Sequence, residues 1–243
     1  MSESTKLTSG TPPFSLATLF LWVTFLSISL GLWVALRNIM VGNAAGNLDW
    51  HWIQYYGINA IGLGTGVTAI ALMGFWRSQG IVWSWQPGHV ILLCIGFHEL
   101  VTLVAVGVDV ATIDSSLVYD PFRSKIYETQ GLVQHVGTVL LILTFLWHVH
   151  FSRPWRLIFG LLLFVNMSTL VMLNPFRLPM GKVISYDLIG KSSQTARVCV
   201  VVLVILLAVW DLIRQEPRDW LHWVGVALLL LHYSPWVTYS LGF

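Results

Sequence analysis

Residues 88–108 read GHVILLCIGFHELVTLVAVGV, with only three ionisable side chains, His89, His98 and Glu99. A stretch this long and apolar crosses the hydrocarbon core of a bilayer, ~30 Å thick, as a helix rising ~1.5 Å per residue. Working outward, six more windows have the same character. The set is 14–36, 55–76, 88–108, 131–151, 155–174, 197–214 and 220–241. The sequence therefore predicts an all-α, polytopic transmembrane bundle of seven spans, with residues 1–243 as a single transmembrane domain.

Composition supports this reading. Hydrophobic residues make up 56% of the chain and charged residues 10%, against roughly 25% charged in a soluble domain. Most surfaces must then face lipid rather than water. A net charge of +2 argues against a nucleic-acid partner. The expected partners are the lipid bilayer and other membrane subunits. Cys94 and Cys199 both fall inside apolar runs, so no disulfide framework is expected. Many of the 13 Trp and seven Tyr mark window ends, among them Trp76, Trp147, Trp155 and Trp210. They read as an aromatic belt at headgroup depth. The first apolar run, Phe14 to Leu36, exceeds the core of a signal peptide and reads as an uncleaved anchor.

Lys and Arg divide six to seven between the two sides, so their number does not orient the chain. Loop length does. The short connections carry Arg77, Arg153, Arg156, Arg214 and Arg218, and short loops follow the positive-inside rule best. The expectation is a multi-pass protein of a bacterial-type plasma membrane with a cytoplasmic N-terminus. Arg197 is counted with the outer loops.

Two patterns bear on packing. Gly62 and Gly66, continued by Ala69, form a small-residue face, as do Ser27, Gly31 and Ala35. Asp120-Pro121-Phe122-Arg123 also recurs as Asn174-Pro175-Phe176-Arg177. Trp147 and Trp210 each precede a proline, Pro154 and Pro217, by seven residues. The hairpin 88–151 is thus a candidate duplicate of 155–214.

Function must be read from polar residues at membrane depth, since these are costly and need a reason. Cys94, His98, Thr102, Ala105 and Asp109 form one helical stripe, with Glu99 beside it. His98 and His232 lie about equally far along helices that run the same way. Gln130, Gln134 and Thr138 share a face of the fourth window, with His135 beside it, and the fifth offers Asn166. The candidate pocket is His98, Glu99, Thr102, Gln134, His135, Asn166 and His232, with Thr102, Asn166 or Gln134 expected to donate to Glu99. His89, His222, His148 and His150 fall at window ends, where imidazole is comfortable at the interface.

The leading functional class is a non-enzymatic transport, channel or accessory subunit built around that pocket. The runner-up is a redox subunit in which His98 and His232 bind a metal or a haem, with His135 and His148, thirteen residues and ~20 Å apart on one helix, at a separation that suits two haems. A purely structural subunit, with the polar residues as interhelical glue, is the third. Seven-span zinc hydrolases of the ceramidase and progestin-receptor type share the helix number but carry H-x-x-x-H on the last helix. Here His222 and His232 are ten apart.

Overall fold

The computed structural model describes residues 14–41, 50–81, 84–112, 121–173 and 186–240. They form seven helices and, among these residues, no strand. The helices are α1 (Leu16–Val41), α2 (Trp50–Ser78), α3 (Pro87–Thr112), α4 (Pro121–His148), α5 (Arg153–Leu173), α6 (Tyr186–Ile213) and α7 (Trp220–Ser240). Six of them, α1 to α6, are long and apolar enough to cross a membrane. Consecutive helices pack side by side, and α7 returns to pack against α3. Helices α3 to α7 therefore close a ring. Helix α2 leans on α3 and α7, and α1 lies outside it, packed mainly on α2.

Several helices outrun the apolar windows. α2 starts at Trp50 rather than 55, α4 at Pro121 rather than 131, and α6 at Tyr186 rather than 197. Hydropathy drops where charges begin, but helical hydrogen bonding continues into the polar zone. The α4 extension is tied down by Asp109 at the end of α3. Its Oδ2 accepts from Arg123 Nε at 3.1 Å and from the Tyr127 hydroxyl at 2.7 Å.

At the other end of the bundle α2 stops in a left-handed cap. Gly80 has φ 74°, and Ile81 N donates to Trp76 O at 3.0 Å. Gln215, at φ 53°, terminates α6 in the same way without being glycine. Pro235 leaves the Leu231 carbonyl without its backbone donor, and the Ser234 hydroxyl takes that carbonyl at 2.8 Å. α7 continues through the proline to Ser240.

Close approach is concentrated on α3. A Cβ on Gly66 would collide with the backbone of Gly96, and one on Gly62 with the Glu99 side chain. The Gly62–Gly66–Ala69 face thus packs α2 onto α3, as its spacing implies. Ser27, Gly31 and Ala35 do not behave that way. They face outward, and nothing stands within 4 Å of a Cβ built on Gly31. α1 touches α2 through other residues, including Leu26 against Gly64 and the Trp22 indole donating to Thr65.

The belt expectation needs division. Trp147 and Trp210 face outward, 86% and 49% exposed, whereas Trp76 and Trp155 are buried inside the bundle. Depth alone did not separate headgroup anchors from packed indoles. Of the echoed tetrapeptides, Asp120 and Asn174–Arg177 lie outside the described residues. Both cysteines are free thiols.

The glycine contacts give a direct test. Gly66→Ala should lower stability by about 1–3 kcal/mol, because backbone cannot yield as a side chain can. Gly74→Ala, in open space on the same helix, should be neutral or slightly stabilising. Thermal unfolding of the two variants in detergent reads the difference, and equal melting temperatures would contradict the packing.

Candidate functional site

The site is placed by the way α3 and α7 meet. α3 begins Gln86-Pro87, with proline at the first helical position, where its missing N–H costs nothing. Gln86 N donates to His89 Nδ1 at 3.3 Å, so that ring carries its proton on Nε2, which donates to Asp219 Oδ1 at 2.9 Å. Asp219 caps α7, accepting from His222 N at 2.8 Å. Asp219 N in turn donates to the Gln86 side chain at 3.1 Å, and Gly88 N to His222 Nδ1 at 3.0 Å. Each helix start thus caps the other. Gly88 and Gly225 let the backbones touch, since a Cβ on either would overlap the other helix's backbone.

His89 and His222 are therefore not interfacial side chains. Both are fully buried and form the joint between two parallel helices. Window position pointed to the interface, but a helix end can be covered by its neighbours. A second buried pair lies nearby. Asp211 accepts from Arg218 Nε at 2.9 Å and from the Trp155 indole at 3.4 Å.

From this joint both helices rise in parallel. Glu99 lies 12 residues from the start of α3 and 13 from its end, about 18–20 Å from either at 1.5 Å per residue. That is the middle of the bundle. A cavity of about 480 Å³ opens there, lined by residues of α2 to α7. All seven expected pocket residues, His98, Glu99, Thr102, Gln134, His135, Asn166 and His232, line it. Its remaining wall is largely apolar, with Ile91, Ile95, Phe159 and Leu162 among the lining residues.

Three imidazoles meet in this space. The His98 ring stands 5.4 Å from that of His232 and 6.1 Å from that of His135, centroid to centroid. His232 Nδ1 lies 3.5 Å from Glu99 Oε1. His135 Nδ1 is 2.8 Å from Asn166 Oδ1, and Asn166 Nδ2 donates to Leu162 O. That second bond fixes the amide, so Asn166 offers His135 an acceptor and His135 Nδ1 carries the proton.

The expected donors to Glu99 turn elsewhere. The Thr102 hydroxyl donates to His98 O at 3.0 Å. Gln134 Nε2 donates to that carbonyl at 2.9 Å and to Thr102 Oγ1 at 2.6 Å. Asn166 serves His135. A hydroxyl in a helix readily takes the carbonyl one turn back, which sequence spacing alone does not reveal. These bonds fix the turn of α3 that carries His98 and leave Glu99 to face His232.

Several lining residues carry a buried polar atom with no hydrogen-bond partner among the described residues: Glu99 Oε2, Gln130 Oε1, Thr138 Oγ1 and His232 Nδ1. Such atoms ordinarily find partners, so four of them on residues around one cavity point to a place for a polar ligand or bound water. A haem between His98 and His232 does not fit, because edge-to-face rings at 5.4 Å leave no slot for a porphyrin. Nor does His148 offer a ligand for a second haem within the bundle. His148 is exposed on the outside of α4, bonded to Thr144 O at 2.8 Å.

Among the polar lining residues, the sequence did not point to Asn59, Thr169, Tyr233 or Arg197. Asn59 looked like part of an ordinary apolar span. Arg197, the first residue of the window 197–214, was counted with the outer charges but lies well within α6 and lines the cavity. The polar run 186–196, read as a helical extension rather than a loop, would have placed it deeper. Comparison with protein-family models, with curated proteins and with solved structures gives no match.

The joint can be tested by pH. Burial works to raise the Asp219 carboxyl, but the hydrogen bond and attraction of His89 and the His222 N–H outweigh it and hold the group below the usual range. A carboxylate held lower in the folded chain contributes stability that is complete above its unfolded value, ~3.9, and lost as pH falls through the folded one. Asp219→Asn keeps a capping side chain but loses the charge. It should lower stability at neutral pH by about 1.5–3 kcal/mol, the worth of a hydrogen bond to a charged group. The gap should close in acid, as wild-type Asp219 is protonated. A gap unchanged between neutral pH and acid would contradict this role.

Proposed function

We propose that the protein is a transport-type subunit of a bacterial plasma membrane that admits a small divalent cation to a pocket at mid-membrane depth. One observation carries the reading: four residues around a single cavity in the middle of an apolar bundle, Glu99, Gln130, Thr138 and His232, each carry a buried polar atom with no hydrogen-bond partner among the described residues. Interhelical glue alone would leave these atoms satisfied by one another. Glu99 is the acid of the lining, buried to 1% exposure, and an ionisable group at that depth ordinarily marks a solute or ion path.

In this reading α7 spans with α1 to α6, giving seven spans. The end where α3 and α7 begin faces the cytoplasm, because its short connections carry Arg77, Arg153, Arg156, Arg214 and Arg218. The outward apolar faces meet lipid, and α1, joined to the rest mainly through α2, is the side on which a further membrane subunit would pack.

Transport is tested in liposomes containing purified protein and trapped calcein, with Mn2+ added outside. Wild-type protein should speed quenching over protein-free liposomes, and Glu99→Gln should slow it by an order of magnitude or more, the weight of an intramembrane charge. Quenching no faster than in protein-free liposomes, or identical rates in wild type and Glu99→Gln, would overturn the reading.

A further inference from the structure

We propose that His98, Glu99 and His232 bind a single divalent transition-metal ion, of the zinc, cobalt or iron(II) class, at the centre of the bundle. The proposal rests on the cavity being a ligand pocket, not on transport through it. One nitrogen from each imidazole and one carboxylate oxygen all lie within 4.8 Å of one another. An ion bonded at about 2.0–2.2 Å to imidazole nitrogen and carboxylate oxygen sets neighbouring tetrahedral ligand atoms about 3.3 Å apart. The 3.5 Å between His232 Nδ1 and Glu99 Oε1 is already close to that separation. Small side-chain rotations bring in the third.

The contact leaves room for a ligand. His232 Nδ1 and Glu99 Oε1 stand at ion-pair distance without a hydrogen bond, and His232 Nδ1 and Glu99 Oε2 have no hydrogen-bond partner among the described residues. An ion gives both residues a partner at once, and the single net positive charge it leaves with one carboxylate calls for an anionic fourth ligand, such as hydroxide, in a region that cannot hydrate a bare charge. Two imidazoles and one carboxylate suit zinc, cobalt and iron(II). Magnesium and calcium prefer all-oxygen shells.

The surroundings support the same three ligands. His98 sits on a turn held by Thr102 and Gln134 through its own carbonyl, and such outer bonds aim a ligand before the ion arrives. Gly62 provides the room for Glu99, since a side chain there would strike its Cγ. His135 is close but committed to Asn166 through Nδ1 and is outside the group of converging ligand atoms. With three protein ligands the ion keeps an open position, as exchanging and catalytic sites do, and the polar wall of the cavity is where a solute or water would take it.

The test uses the full chain in detergent, stripped with chelator and titrated with Co2+, whose d–d absorption reports coordination. The expected result is a single Co2+ per chain, displaced by Zn2+ and not by Mg2+. His98→Ala, Glu99→Gln and His232→Ala should each weaken Co2+ binding at least about tenfold, loss of a direct ligand costing no less than loss of an outer-shell partner. The double variant His148→Ala with His150→Ala, on the exposed end of α4, should bind as wild type. Circular dichroism and thermal unfolding separate lost binding from lost folding: a helical Glu99→Gln chain whose melting temperature Zn2+ no longer raises supports the site. Stoichiometric binding that survives both Glu99→Gln and His232→Ala, or no Co2+ binding by folded wild type, overturns it. Mn2+ entry without binding at these residues defeats the metal site and spares the pocket. Binding without entry defeats transport and spares the metal site.

Discussion

The contact between the starts of α3 and α7 is the interaction on which the site depends. Gly88 lies against the backbone of His222, and each helix supplies a cap to the other. The two helices then climb together. Ten residues above Gly88 is His98, and ten above His222 is His232. Equal steps at ~1.5 Å per residue raise both imidazoles by ~15 Å to the same level. A slip by one turn, 5.4 Å, would pass His232 beyond the reach of Glu99. The buried polar joint at the bundle's end therefore sets the register of the site in its middle.

A bilayer makes this arrangement unusually informative. Lipid offers no hydrogen bonds, so each buried polar group must be answered within the protein or by something the protein holds. Some groups are answered locally: Thr68 by Gly64 O, Thr102 by His98 O and Asn166 by Leu162 O. Others are answered between helices, as Gln134 is by Thr102 and His135 by Asn166. Unpaired buried atoms also occur elsewhere, at Ser29, Trp33, Ser193, Asp219 and His222, but in the central cavity a carboxylate and an imidazole that carry them stand side by side. Glu99 and His232 keep unanswered atoms within a few ångströms of each other. It is that local shortfall, not the presence of polar residues as such, that distinguishes a ligand site from interhelical glue.

Much of this was legible in the sequence, for a simple reason. Apolar length is set by bilayer thickness, so the helices announce themselves, and a helical stripe announces which residues share a face. His98 and His232 were paired by depth and direction, and they do meet. What stayed hidden depends on neighbours. His89 and His222 look like interfacial residues until the rest of the bundle covers them. The outward turn of Gly31 and the inward turn of Gly66 have the same spacing and opposite environments. Arg197 was taken for the outer end of its window because hydropathy does not register the helical turns before it, which begin at Tyr186. The donors foreseen for Glu99 were residues of the right chemistry whose hydrogens were already committed to backbone or side-chain partners.

The most direct measurement is an anomalous difference map from crystals of the full chain grown with Zn2+, recorded on either side of the zinc absorption edge. The account predicts one strong peak between α3 and α7, within coordination distance, about 2.0–2.2 Å, of both His98 and His232 and of the Glu99 carboxylate. A map with no peak in the central cavity, or with zinc bound only at the exposed His148 and His150, would contradict it.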